Sequence, residues 1–114
     1  MATEARWYRL DRTQPVPCRD LAEWAEWMRK ANRHVGDDRI GPLHVSTVFL
    51  GLDHRYGEGE PLLFETMIFD GADNAYQVRT STWSQAEKAH AAAITAARSL
   101  VAAADAALSG QSGL

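Results

Sequence analysis

Cysteine and long apolar runs are scarce in this chain. Cys18 is the one cysteine among 114 residues, so no disulfide can form within the chain. No segment approaches the roughly 18 consecutive apolar residues that a bilayer span needs. The opening MATEARWYRL lacks the apolar core of a signal peptide. We therefore expect a protein that has no membrane partner and stays in the cytoplasm.

The strong signatures of catalysis are also missing. The sequence contains no GxSxG, P-loop, HExxH or paired CxxC motif. The glycine-rich stretch RYGEGEP joins two predicted strands, and its glutamates would repel phosphate. A formal net charge of −3 makes nucleic acid an unfavourable partner, although a small anionic ligand remains compatible with it. The sequence predicts neither a metal nor a cofactor.

What is present predicts one α+β domain. Residues 6–12 have β character. Pro15 and Pro17 have fixed φ angles, which predict an extended connector over residues 15–17. Asp20 and Glu23 form a capping-box pattern at the start of a first helix. Its apolar stripe is predicted at Leu21, Trp24, Ala25, Met28 and Ala31, with Trp27 at the border.

Four strands and a second helix follow, which gives the order β-α-β-β-β-β-α. We expect a small antiparallel sheet of four or five strands, with a central β-hairpin and two helices. The second helix begins near Thr82, capped by Thr82 with Gln85 or by Ser84 with Glu87. Its alanines favour helix to about Leu108. Residues 1–108 then form the domain, and residues 109–114 are expected to be a flexible tail.

The hairpin over residues 46–69 is the most informative segment, because both faces of its strands are apolar. The strands of a sheet with one solvent-exposed face should alternate more clearly between apolar and polar residues. Either helices cover both faces or a second subunit covers one, and the second alternative predicts a homodimer or a larger homo-oligomer. The residues expected at such an interface are Thr47, Phe49, Glu65, Met67, Phe69 and Trp27.

The same hairpin carries the candidate catalytic residues Asp53, His54 and Glu65. A histidine beside a carboxylate can act as a general base. The alternative is that Asp53 caps a turn and His54 begins an exposed loop. Glu65 lies in an apolar strand, where a carboxylate is costly unless it is paired or partly exposed. It either forms a salt bridge with an arginine or histidine, or lines a pocket.

Two further histidines are expected to be structural. His44 should face Arg39 across a tight turn, and His90 should be a half-buried, satisfied residue of the second helix. The tryptophans and arginines could together clamp a nucleotide-like ligand. Helix packing alone also explains most of the tryptophans.

Several strings of this chain resemble a group of small proteins encoded by bacteriophages and prophages. They are STVFLGLDH and PLLFETMIF in the hairpin, PVPC and LAEWAEW before it, and the STW..AE..H pattern over residues 81–90. The resemblance covers residues 7–92. It implies an accessory protein acting in an infected bacterial cell, where such proteins antagonise host systems. It assigns no catalytic or binding residue.

Two functions follow as hypotheses. The first is a non-enzymatic phage accessory protein that masks a host protein or sequesters a small ligand in the host bacterial cytoplasm. The second is a small hydrolase of nucleotide-type substrates that uses His54, Asp53 and Glu65. The absence of catalytic motifs favours the first.

Overall fold

We describe the fold from a computed structural model, which covers residues 6–112. Its element order confirms the α+β class, with one more strand than expected. The elements are β1 Trp7–Asp11, β2 Gln14–Cys18, α1 Leu21–Lys30, β3 His34–Ile40, β4 Leu43–Phe49, β5 Phe64–Asp70, β6 Asp73–Thr80 and α2 Trp83–Ser112.

The additional strand is β2, which was expected to be only an extended connector. It pairs antiparallel with β1 and sets Pro15 opposite Leu10 and Pro17 opposite Tyr8. The two prolines are two residues apart, so their missing N–H groups fall on the same edge of the strand. The other edge keeps its donors for β1, which is why two prolines are compatible with this hairpin.

The main sheet has the strand order β3-β4-β5-β6, and every neighbouring pair is antiparallel. The predicted central hairpin is confirmed as β4 and β5, with Thr47 opposite Thr66 and Phe49 opposite Phe64. Both outer strands shift register once, β3 between His34 and Gly36 and β6 opposite the step from Ile68 to Phe69. Arg39 lies opposite His44, as expected.

Helix α2 covers one face of this sheet. Along β4 and β5 every second residue is buried, because these side chains point towards α2. Two apolar clusters form the core: Leu43, Val45, Ile68, Ala93 and Ala97 at one end, and Phe49, Leu63, Phe64 and Ala86 at the other. The polar residues Thr47, Thr66 and His90 are also buried. Ala86, His90, Ala93 and Ala97 of α2 are buried against the sheet.

Helix α1 packs on β1 and β2, and Trp24, Met28 and Ala31 of its predicted stripe are half-buried. Asp20 caps it, because its carboxylate accepts from the N–H groups of Ala22 at 3.0 Å and Glu23 at 3.2 Å. Leu21 is 53% exposed, whereas Trp27 packs edge-to-face on Phe49 with 5.8 Å between ring centroids. The packing face is therefore rotated towards Trp27.

Helix α2 continues to Ser112, beyond the predicted end at Leu108. The rest of the predicted tail, residues 113–114, lies outside the described residues, as do residues 1–5. Trp83–Ser109 is long and apolar enough to cross a membrane by length and composition, with a mean hydropathy of 1.4. No such segment was expected, because alanine raises the mean without forming a strongly apolar run. Only 11% of the apolar window of this helix is buried, and a single helix of this length and composition is by itself weak evidence of a membrane span.

Gly36 of β3 lies directly against the ring of His90. A Cβ atom on residue 36 would approach Nε2 of His90 to 2.6 Å, closer than van der Waals contact allows. We expect Gly36→Ala to lower the free energy of unfolding by about 1–3 kcal/mol, as overpacking does. Urea denaturation measures this loss. In a His90→Ala background the same substitution should cost much less, and an equal cost in both backgrounds would contradict the contact.

Candidate functional site

The carboxylate of Asp53 stabilises the loop that follows β4. Its Oδ1 accepts from the backbone N–H groups of Arg55 at 2.9 Å and Leu62 at 3.0 Å, and its Oδ2 pairs with Nε of Arg55 at 2.9 Å. The side chain is 7% exposed. The carboxylate thus closes the two ends of the loop, which corresponds to the turn interpretation. Both of its oxygens are already engaged by the loop, which leaves Asp53 poorly placed to orient His54.

Glu65 lies on β5 beside the neighbouring strand β6. Its Oε2 accepts from Nε of Arg79 at 3.0 Å and from Nε2 of Gln77 at 2.7 Å, and its side chain is 15% exposed. This is the salt-bridge alternative of the sequence analysis, and it removes the cost of placing a carboxylate in an apolar strand.

The structure does not assemble the predicted catalytic group. Asp53 is tied to Leu62, three residues and therefore about 10 Å of strand before Glu65, and the two carboxylates share no hydrogen-bond partner. Nor do residues 6–112 contain any group of three His, Cys, Asp or Glu side chains that could hold a metal ion.

The predicted interface residues separate onto opposite faces of the sheet. Thr47 and Phe49 were placed with Glu65 and Met67, but both are 0% exposed beneath α2. The reason is register, because Thr47 pairs with Thr66 and Phe49 with Phe64, and directly paired residues share a face. Trp27 also packs inward, on Phe49. Glu65, Met67 and Phe69 remain on the other face.

That other face has no helix packed on it within the part of the chain that the structure describes. We call it the free face. It consists of Asp37 and Arg39 from β3, His44, Ser46 and Val48 from β4, Glu65, Met67 and Phe69 from β5, and Gln77 and Arg79 from β6. Its centre is apolar and half-buried, with Val48, Met67 and Phe69, and its margins are charged.

One margin is formed by Asp37 and His44. Nε2 of His44 contacts Oδ1 of Asp37, and the imidazole ring also lies against Phe69 with 6.0 Å between ring centroids. The hydrogen bond from His44 lowers the pKa of the Asp37 carboxyl below its ordinary value. At the other margin the pair of Glu65 and Arg79 is formed. The free face therefore has an apolar centre between two internally paired margins.

The covered face contains a polar chain that the sequence did not reveal as a unit. His90 on α2 bonds through Nε2 to Oδ2 of Asp38 and through Nδ1 to the hydroxyl of Thr47, each at 2.7 Å. Thr47 in turn bonds to the hydroxyl of Thr66 at 2.7 Å. The order of carboxylate, imidazole and hydroxyl is that of an acyl-transfer triad. Thr47 is 0% exposed, however, so a substrate cannot reach its hydroxyl and the chain is structural.

The sequence pointed to His90 as a satisfied histidine but named none of its partners. Asp38 and Thr47 are 52 and 43 residues away from it along the chain. The sequence offered only a weak signal for this contact. It consists of one histidine, His90, on the apolar side of the second helix and one threonine, Thr47, in β4. Only the strand register brings these residues together.

The aromatic residues pack against the protein itself. Nε1 of Trp24 donates to the carbonyl oxygens of Tyr8 at 3.1 Å and Gly51 at 3.0 Å. Trp83 packs edge-to-face on Phe64 with 6.2 Å between ring centroids. These contacts support structural roles for Trp24 and Trp83, and a nucleotide clamp is not required to explain them.

Comparison of the chain with models of protein families, with curated proteins and with solved structures finds no match in any of the three.

Removing the Thr47 hydroxyl should test the buried chain. Thr47→Val keeps the shape of the side chain but leaves Nδ1 of His90 without its partner, so we expect a loss of about 1–3 kcal/mol in the free energy of unfolding. Chemical denaturation measures it. Ser46→Ala on the free face is the matched control and should change stability by less than about 0.5 kcal/mol. Equal effects of the two variants would argue against the buried hydrogen bonds.

The pair of Asp37 and His44 predicts a pH effect. Because the pKa of Asp37 is lowered in the folded state, its contribution to stability is present above the ordinary pKa of an aspartate and is lost as pH falls through the lowered pKa. NMR titration of the Asp37 carboxyl should show a pKa that rises towards the ordinary value in His44→Ala. An unchanged titration in that variant would show that the contact is not formed in solution.

Proposed function

We propose that this protein is a non-enzymatic binding domain that forms a homodimer through the free face. The observation that carries the proposal is the uncovered apolar centre of that face, at Val48, Met67 and Phe69, while α2 seals the other face. Half-buried apolar side chains bounded by charged pairs are the pattern of an interface core with a polar rim.

A second copy is the partner that the charges of the free face suit best. Asp37 and Glu65 are balanced by Arg39 and Arg79, although the whole chain carries a formal charge of −3. Two free faces can therefore approach each other without net repulsion. A strongly acidic or basic partner would gain nothing from such a balanced surface.

Strand order suggests how two copies fit. β3 and β6 are the two edges of the sheet. A two-fold axis parallel to the strands sets β3 of one copy over β6 of the other, because such an axis exchanges left and right. Asp37 of one copy then faces the strand that carries Gln77 and Arg79 in its partner. The same contact forms twice, as an isologous interface requires.

The size of the free face favours a weak, reversible dimer. Four strands of seven or eight residues give a footprint of about 19 by 23 Å, or about 440 Å² per copy. This lies below the roughly 800 Å² per partner of a standard interface. We therefore propose a reversible dimer with a dissociation constant in the micromolar range, which can also exchange its partner.

That exchange suits the wider role we propose, which is that of a phage accessory protein in the bacterial cytoplasm. In this role the free face covers a surface of a host protein or the dimer holds a small ligand, without chemical turnover. The support for it is the resemblance over residues 7–92 and the separation of Asp53 from Glu65, which leaves the hydrolase alternative without an assembled catalytic group.

Met67→Asp tests the dimer, because it places a charge at the apolar centre of the free face. We expect the wild-type protein to change from monomer to dimer between about 5 and 500 µM in analytical ultracentrifugation, and the variant to remain monomeric. Leu108→Asp is the matched control, since Leu108 is a 65% exposed apolar residue on α2. Phe49→Asp is unsuitable because Phe49 lies in the core.

The same two variants show which results would contradict a dimer through the free face. Dissociation by Leu108→Asp with Met67→Asp still dimeric would assign the interface to α2. A wild-type protein that is monomeric over the whole range would remove the dimer altogether.

A further inference from the structure

A cleft lies away from the free face and shares no lining residue with it. It has a volume of about 600 Å³, within the range of small-molecule sites. Three separate parts of the chain form it: the β1–β2 hairpin, the segment before β5 and the start of α2. We call it the Trp83 cleft.

Part of the wall of the Trp83 cleft is aromatic and apolar, formed by Tyr8, Pro15, Leu63 and Trp83, and the rest is polar. The indole ring of Trp83 is held in place by Phe64, on which it packs edge-to-face at an interplanar angle of 88°. A fixed aromatic surface of this kind accepts a flat or apolar ligand body, and its electron-rich face also attracts cations.

The charges of the cleft have one sign. Glu60 and Glu87 both line it, and no lysine or arginine among residues 6–112 does. They come from two different segments, the loop before β5 and the second turn of α2. A cation between them is attracted by both carboxylates, and an anion is repelled by both.

The start of α2 is capped by its own side chains. A helix N-terminus attracts anions through its free N–H groups, and a capping box engages three of the N–H groups around this one. Oε1 of Gln85 accepts from the N–H groups of Ser81 at 3.0 Å and Thr82 at 3.2 Å, and Oγ1 of Thr82 accepts from the N–H of Gln85 at 3.1 Å. The N–H groups that the capping box engages are not available to an anion.

We propose that the Trp83 cleft binds an organic cation with an apolar or aromatic body, such as an amine or a guanidinium group. The apolar body packs on Trp83 and Tyr8, while Glu60 and Glu87 neutralise the charge. This site is independent of the proposed dimer, so either can fail without the other.

Calorimetric titration of the full chain with benzamidine tests the proposal. Benzamide is the matched neutral ligand and benzoate the matched anion. We expect benzamidine to bind in the micromolar to millimolar range, benzamide at least about five-fold more weakly, and benzoate most weakly. Added salt should weaken only the binding of benzamidine. Equal binding of benzamidine and benzamide, or no binding of benzamidine at about 10 mM, would overturn the proposal.

Variants locate the binding site. Glu60→Gln with Glu87→Gln should weaken benzamidine binding about ten-fold, because two partly solvated ion pairs are lost. Glu58→Gln is the control, since Glu58 is exposed in the same loop and does not line the cleft. Unchanged affinity in the double variant would place the ligand elsewhere and overturn the proposal. The natural cation could be an arginine side chain of a protein or a small free amine, and a blocked arginine amide titrated in parallel distinguishes the two. The ligand that binds more tightly identifies the source of the cation.

Discussion

His90 connects the long C-terminal helix to the sheet, and the packing of the covered face depends on it. One ring nitrogen binds Asp38 on an outer strand and the other binds Thr47 on an inner strand, so a single side chain joins three elements. The apolar clusters on either side are built around this polar centre. An apolar core alone permits a helix to slide along a sheet, whereas two directed hydrogen bonds specify one position for it. Gly36 provides the space that this position needs.

Much of the fold could be predicted from local sequence patterns. The strand character of β4 and β5, the Asp20 cap and the helical character of α2 all depend on neighbours within a few residues. The faces of the hairpin could not be predicted, because their pairing depends on register, and a shift of one residue exchanges them. Thr47 and Phe49 were therefore assigned to the wrong side. For Glu65 the sequence predicted a salt bridge with an arginine or a histidine but not which one. Gln77 and Arg79 become its neighbours only when β6 is placed beside β5.

The two faces of the sheet place charged and polar groups in different ways. On the covered face the polar groups form one chain that is closed off from solvent by α2. On the free face they form separate pairs at the margins and leave the centre apolar. The first arrangement stabilises the monomer. The second leaves a surface of low net charge whose burial costs little electrostatic energy, which is the physical basis for proposing recognition at this face.

The prolines of β2 have a consequence for assembly. Pro15 and Pro17 present no N–H groups along the outer edge of their strand, so a further strand cannot pair there in regular fashion. The register shifts in β3 and β6 interrupt the two edges of the main sheet in a similar way. Lateral growth by strand addition is thereby discouraged at three edges. In the proposed dimer, association through the broad surface of the sheet ends after one partner, because the closed pair leaves no second free face for further growth.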